Sequence, residues 1–172
     1  MSTRTRRALV KAALGIGLAL ALALTLTMGR VLADSPHFNS AGASINSAGN
    51  LVVSFKESGL GNNALINFTA SANAVADYGC INGGGNHPKA SNKQTVQGPV
   101  SASGQFSSGK NGSISQSLTI TPPPLPTTFS CPNGQTLVLA DVTYTNVAIT
   151  DTTTPVSQSI SGTFTAVFFT FK

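Results

Sequence analysis

Few side chains in this 172-residue sequence could do chemistry. His37 and His87 are the only histidines, and Cys80 and Cys131 the only cysteines. The acids are Asp34, Glu57, Asp77, Asp141 and Asp151. Catalysis needs a group that titrates near the working pH, or a nucleophile activated by one. A Ser-His-Asp arrangement would have to use His87 with Asp77 or Asp141, yet no serine sits in a Gly-x-Ser-x-Gly elbow. The acids show no spacing that marks paired glycosidase carboxylates. Two histidines and two distant cysteines do not make a zinc or copper site, so no metal or other cofactor is expected. The sequence therefore reads as a non-catalytic protein. A hydrolase using His87 with a nearby carboxylate is the alternative.

The most distinctive local chemistry is a loop containing Asn82, Gly83, Gly84, Gly85, Asn86, His87 and Lys89. A phosphate-binding reading fails, because no helix and no Gly-Lys-Ser or Gly-Lys-Thr follows the glycines. Consecutive glycines still expose backbone amides, and the Asn, His and Lys side chains add polar groups. Such a loop is a candidate binding site for a sugar, a peptide or a partner protein. The plainer reading is a long connection pinned at Cys80. Aromatic platforms for sugars are limited to Tyr78 and Tyr144, with no Trp. Asp151 beside Thr152, Thr153 and Thr154 offers too few oxygens for calcium. Asn67-Phe68-Thr69 and Asn111-Gly112-Ser113 are glycosylation sequons, relevant only in a host that modifies them.

The element that delivers the loop is a strand over residues 64–80. Ala64, Ile66, Phe68, Ala70, Ala72, Ala74, Ala76, Tyr78 and Cys80 share one parity, and mostly polar residues fill the other. Alternation of this kind predicts a strand with one buried face. Its alanines predict that something packs closely against it. Leu51, Val53 and Phe55 predict an earlier strand over 51–56, followed by a Gly/Asn turn. Residues 95–106 and 113–121 alternate on either side of Asn111-Gly112, which predicts a hairpin. Pro99 places the first of these at an edge or a bulge. Pro122, Pro123, Pro124 and Pro126 read as a stiff crossover between sheets. Val138, Ala140, Val142 and Tyr144 share a parity that Val147 and Ile149 reverse, which predicts a bulge or a change of sheet near Asn146. Residues 156–160 form a short strand. Residues 163–171 carry apolar side chains on both parities, which predicts a central strand or one that faces a partner. After residue 33 no stretch has helical periodicity over ten or more residues. The fold expected is an all-β, single-domain antiparallel β-sandwich, immunoglobulin-like or jelly-roll.

The first 33 residues read as a signal peptide. Arg4, Arg6, Arg7 and Lys11 precede an apolar run, and Val31-Leu32-Ala33 suits cleavage before Asp34. An uncleaved anchor is the alternative, and the export route, general or twin-arginine, stays open. Removal leaves 139 of the 172 residues, about one domain. The formal charge of +5 is then lost. Lys56, Lys89, Lys93, Lys110 and Lys172 balance the five acids, so neither nucleic acid nor anionic lipid is an expected partner. Residues 34–50 are Ser, Ala, Gly and Asn-rich and read as a flexible N-terminal arm or a weak edge strand, with 51–172 as the sandwich. In an exported chain Cys80 and Cys131 are expected to form a disulfide.

Three stretches carry a resemblance: Ser54-Phe55-Lys56-Glu57-Ser58-Gly59-Leu60-Gly61, Cys80-Ile81-Asn82-Gly83-Gly84-Gly85-Asn86 and Ser130-Cys131-Pro132-Asn133-Gly134-Gln135-Thr136-Leu137. Together they resemble small exported bacterial proteins of unknown function. The resemblance implies export and a single domain, and it assigns no residue a role. The expectation is a secreted or cell-surface protein with a binding or envelope role. Its partner would be a glycan or surface protein, or further copies of itself in a self-assembling matrix.

Overall fold

The computed structural model describes residues 35–82 and 92–170. Eight strands appear there and no helix: β1 (His37–Ile45), β2 (Leu51–Ser58), β3 (Leu65–Asn82), β4 (Lys93–Ser107), β5 (Ser113–Ile120), β6 (Gln135–Asp151), β7 (Val156–Ile160) and β8 (Phe164–Val167). They form two antiparallel sheets packed face to face, the expected β-sandwich. Sheet A has the order β1-β2-β5, and sheet B the order β4-β3-β6-β7, with β8 also on β6. β7 pairs with the Val147–Asp151 end of β6 and β8 with its Asp141–Tyr144 part, so the two share one edge.

Strand β3 is the long alternating stretch, and its expected inner face is the buried one. Ile66, Phe68, Ala70, Ala72, Ala74, Ala76 and Cys80 are all buried. Facing them from sheet A are Leu51, Val53, Phe55, Ile114, Leu118 and Ile120. Phe55 and Phe68 rings meet at 4.5 Å between centroids, with Phe38 and Phe106 completing an aromatic cluster. Tyr144 is fully buried, and its hydroxyl donates to the Gly49 carbonyl at 2.9 Å. Burial pushes that hydroxyl's pKa up to about 12, which keeps it a donor. Gly49 has φ +83°, and a Cβ there would meet the Leu139 side chain at 2.5 Å, so glycine is required.

Several expectations are corrected. Of residues 34–50, read as a flexible arm or a weak edge strand, His37–Ile45 form the edge strand β1 and not an arm, paired with β2. Phe38, Ala41, Ala43 and Ile45 pack on the core, so the segment has enough apolar surface to dock. The Asn111-Gly112 hairpin does not form. β4 pairs with β3 and β5 with β2, so the turn joins the two sheets as an arch. β3 gives β4 a partner along its whole length, whereas β5 is only eight residues long. The last strand is not central: β8 pairs with β6 alone, and Val167 is 64% exposed. Phe171 lies outside the described residues, as does the expected signal peptide.

Other expectations hold. Pro99 lies on β4, an edge strand, the position where a residue without an amide hydrogen is tolerated. The register of β6 shifts opposite Ser71 and Asn73, and Asn146 there has φ +52°. This bulge turns both Tyr144 and Val147 into the core. A second register shift, opposite Asp77 and Tyr78, was not expected, and it puts Leu139 rather than Val138 against the core. The proline run carries the chain from β5 in sheet A to β6 in sheet B. The Tyr78 hydroxyl donates to the Pro123 carbonyl at 2.9 Å.

Cys80 and Cys131 form the expected disulfide, with Cα atoms 5.6 Å apart. It ties the end of β3 to the loop that enters β6. Among the described residues, no helix is long and apolar enough to cross a membrane.

Two arches connect the sheets side by side, β2 to β3 and β4 to β5. Leu60 N donates to Gly112 O at 3.0 Å, and Asn63 N to Gly109 O at 2.7 Å. Ser108, 2% exposed, joins them through its side chain. Its hydroxyl accepts from Ala64 N at 2.9 Å and donates to Gly61 O at 2.6 Å. Ser108→Ala leaves both groups without that partner and is expected to cost about 1–3 kcal/mol in urea unfolding. Replacing Cys80 and Cys131 together by serine is expected to cost about 4 kcal/mol in the same measurement, from the loop entropy returned to the unfolded chain.

Candidate functional site

Of the expected binding loop, Gly83, Gly84, Gly85, Asn86, His87 and Lys89 lie outside the described residues. Asn82 is described. It ends β3 opposite Gln135, and its Oδ1 is buried with no hydrogen-bond partner among the described residues. Gln135 in turn accepts from Asn92 Nδ2 at 3.2 Å, so amide side chains line the base of the loop. Cys80 beside it is held by the disulfide and by its own amide, which donates to Asn92 O at 3.2 Å. Both tyrosines weighed as sugar platforms are engaged elsewhere, Tyr144 in the core and Tyr78 on Pro123.

The outer face of sheet B carries the most regular chemistry. Inner residues of β3 alternate with Asn67, Thr69, Ser71, Asn73, Val75 and Asp77, which point outward. The register sets these in rows across the strands. Ser103, Thr69, Thr150 and Ser157 form one row, and Ser101, Ser71, Ala148 and Ser159 the next. Neighbouring hydroxyls bond across strands: Thr69 to Ser103 at 2.8 Å, Thr150 to Ser157 at 2.8 Å and Thr143 to Thr165 at 3.0 Å. Gln105 Nε2 donates to Asn67 Oδ1 at 3.0 Å. Strand geometry spaces such groups about 4.8 Å across the sheet and about 6.8 Å along it. Sheet A has a smaller version. There Gly42 leaves open space beside Ser40, Ser54, Ser115 and Ser117, forming a shallow trough with Lys56.

At one end of the sheet B array, Asp77 and Asp141 are direct cross-strand partners. With Lys93, Thr95, Val167, Phe169 and Thr170 they line a groove. Thr95 Oγ1 donates to Asp77 Oδ1. Burial, and then the charge of Asp77, raises the pKa of Asp141. His37, expected in a flexible arm, is on β1 and is exposed. Its Nδ1 lies 2.8 Å from Ser35 O.

Sequence reasoning missed two buried acids, Glu57 and Asp151, both 0% exposed. Glu57 extends the inward parity of Leu51, Val53 and Phe55, and Asp151 extends that of Val147 and Ile149. Glu57 falls one residue past the strand expected over 51–56, and Asp151 two past Ile149, so parity carried two positions further finds them. Asp151 is fully used by its own turn: Oδ1 accepts from Thr153 N at 2.7 Å and Thr154 N at 3.1 Å, and Oδ2 accepts from Thr154 Oγ1. Glu57 has no hydrogen-bond partner at either oxygen among the described residues. Burial first, and then the nearby Asp151, push its pKa up to about 7, against a smaller opposing effect of His37. Neither acid is accessible to a substrate. No group of three metal-ligating side chains occurs among the described residues.

No family model, curated protein or solved structure matches this chain at a significant level.

The raised Glu57 pKa fixes the sign of a pH effect. Below pH 4.5 the carboxyl is protonated in both folded and unfolded chains, and between 4.5 and about 7 only the folded chain keeps the proton. Stability therefore falls as pH rises through that window, by about 3 kcal/mol in total from this group. Glu57→Gln, which cannot ionise, is expected to approach the wild type near pH 4.5 and to exceed it by about that amount at pH 8. Melting curves of both proteins from pH 4 to 9 measure the difference.

Proposed function

We propose that this chain is an exported, non-catalytic β-sandwich that acts by binding. The outer face of its five-stranded sheet would meet an uncharged, hydroxyl-rich polymer of a cell surface or matrix. The observation that carries this reading is the hydroxyl array of sheet B, set in register across four strands. Each hydrogen bond to a partner would contribute little against water, so many repeated ones are needed, and a regular array supplies them. An uncharged surface also avoids the cost of stripping water from ions. The disulfide is compatible with an extracellular location, and the N-terminal leader pattern agrees with it.

The groove at Asp77 and Asp141 favours a second reading, an exported hydrolase of the bound polymer, with this carboxyl pair in place of His87. One experiment addresses both. Purified protein is incubated with insoluble cellulose, chitin and β-1,3-glucan, and depletion from the supernatant is measured. At least one polymer is expected to deplete it. Thr69→Lys with Thr150→Lys is expected to weaken binding about 10-fold or more, equivalent to 1.4 kcal/mol, while Ser117→Lys on sheet A leaves it unchanged. No depletion by any polymer, or equal loss in both variants, overturns the reading. Release of reducing sugar that disappears in Asp141→Asn selects the hydrolase.

A further inference from the structure

Glu57 is the least compensated group in the described core. It belongs to sheet A, and Asp151, which acts on it electrostatically, belongs to sheet B. Its neighbours in register are Phe38 on β1 and Ile114 on β5. The titratable groups acting on it are Asp151 from β6 and His37 from β1. Lys56 and Ser58, on either side in sequence, have the opposite parity and point to the other face. Asp151 has already taken three donors from its own turn and has none to give. A neutral Glu57 is tolerable there, because it carries no charge beside Asp151. An ionised one puts a second negative charge in an apolar setting with no donor to meet it.

The most weakly held element flanking Glu57 is the start of β1. This strand is bonded on one side only, to β2. Its register slips between Phe38 and Ser40, leaving Asn39 unpaired in the ladder. Asn39 is held instead by side-chain bonds, accepting from Ser58 Oγ at 2.7 Å and lying 3.4 Å from His37 Nε2. Phe38, directly opposite Glu57, packs its ring on Phe55 at 6.1 Å and on Phe68 at 6.3 Å between centroids. The other elements around Glu57 cannot move as cheaply: β2 is paired on both edges, and the Asp151 turn is bonded to the start of β3 through Thr152 N and Asn67 O at 2.8 Å.

We propose that Glu57 is a proton-operated latch on β1. While its carboxyl is neutral the Phe38 end of the strand stays docked, and when it ionises that end lifts and admits water to the carboxylate. The rest of the sandwich stays closed, so the device responds to the step between mildly acidic and mildly alkaline surroundings. It is independent of the binding reading, since the hydroxyl array lies on the outer face of the other sheet.

The test is amide hydrogen exchange on protein expressed from the full-length sequence, at pH 5.5 and 8.5, with rates corrected for intrinsic exchange. Protection at residues 38–41 is expected to fall on the order of 100-fold at the higher pH, while β3 keeps its own. Glu57→Gln, with Glu57→Leu as a second variant should Gln fail to fold, is expected to show no such fall. His37→Asn is expected to retain it. Four results overturn the latch: no fall in the wild type, a fall shared equally by β3, a fall that survives in the Glu57 variants, or one that vanishes in His37→Asn. A fifth also overturns it: if millimolar calcium restores protection at pH 8.5 in the wild type alone, the carboxyl pair holds a cation instead.

Discussion

Strand β3 is hydrogen-bonded on both edges and buried on one face, and the rest of the molecule is arranged to satisfy it. β4 and β6 occupy its edges along almost its full length. Its inner alanines are small, so sheet A can approach closely there, while Ile66 and Phe68 at one end fill the wider gap. A long strand with both edges taken competes for partners with every local alternative. That competition sends β4 to β3 rather than to β5, and it makes the turn between β4 and β5 an arch. The second arch follows, because β2 must reach β3 from the other sheet.

Such a fold leaves its outer faces wet and its ends to be closed by turns. The outer face of sheet B inherits its regularity from β3, because every second residue of a strand lies on the same side and the neighbouring strands copy that spacing. The buried core and the outer hydroxyl array thus draw on the two parities of one strand. The disulfide closes the end from which the Gly-rich loop departs, and Tyr144 closes the turn at Gly49 from inside the core.

Two acids depart from the apolar pattern of the interior. Asp151 is explained by its turn, whose backbone amides need an acceptor. Glu57 has no such explanation in the hydrogen bonding of the fold. It occupies a position where an apolar residue would fit the parity, and its cost depends on whether it is charged. The start of β1, hydrogen-bonded along one edge only, pairs with it directly through Phe38.

The sequence by itself determined most of the strands, the buried face of β3, the bulge at Asn146 and the pairing of Cys80 with Cys131. Alternation is a local signal, and two cysteines leave one possible pair. It also gave residues 34–50 a choice between a loose arm and an edge strand, and it marked Pro99 as an edge residue. Only the tertiary structure decided which strands pair, because an Asn-Gly turn looks the same whether the chain doubles back or crosses the core. Only the structure turned Glu57 and Asp151 inward, since an acid at the end of an apolar alternation reads as the start of a turn until a second sheet covers it. The alignment of hydroxyls into rows is likewise a matter of register between strands far apart in the chain. Pairing free energy settles that register, and no single segment contains it.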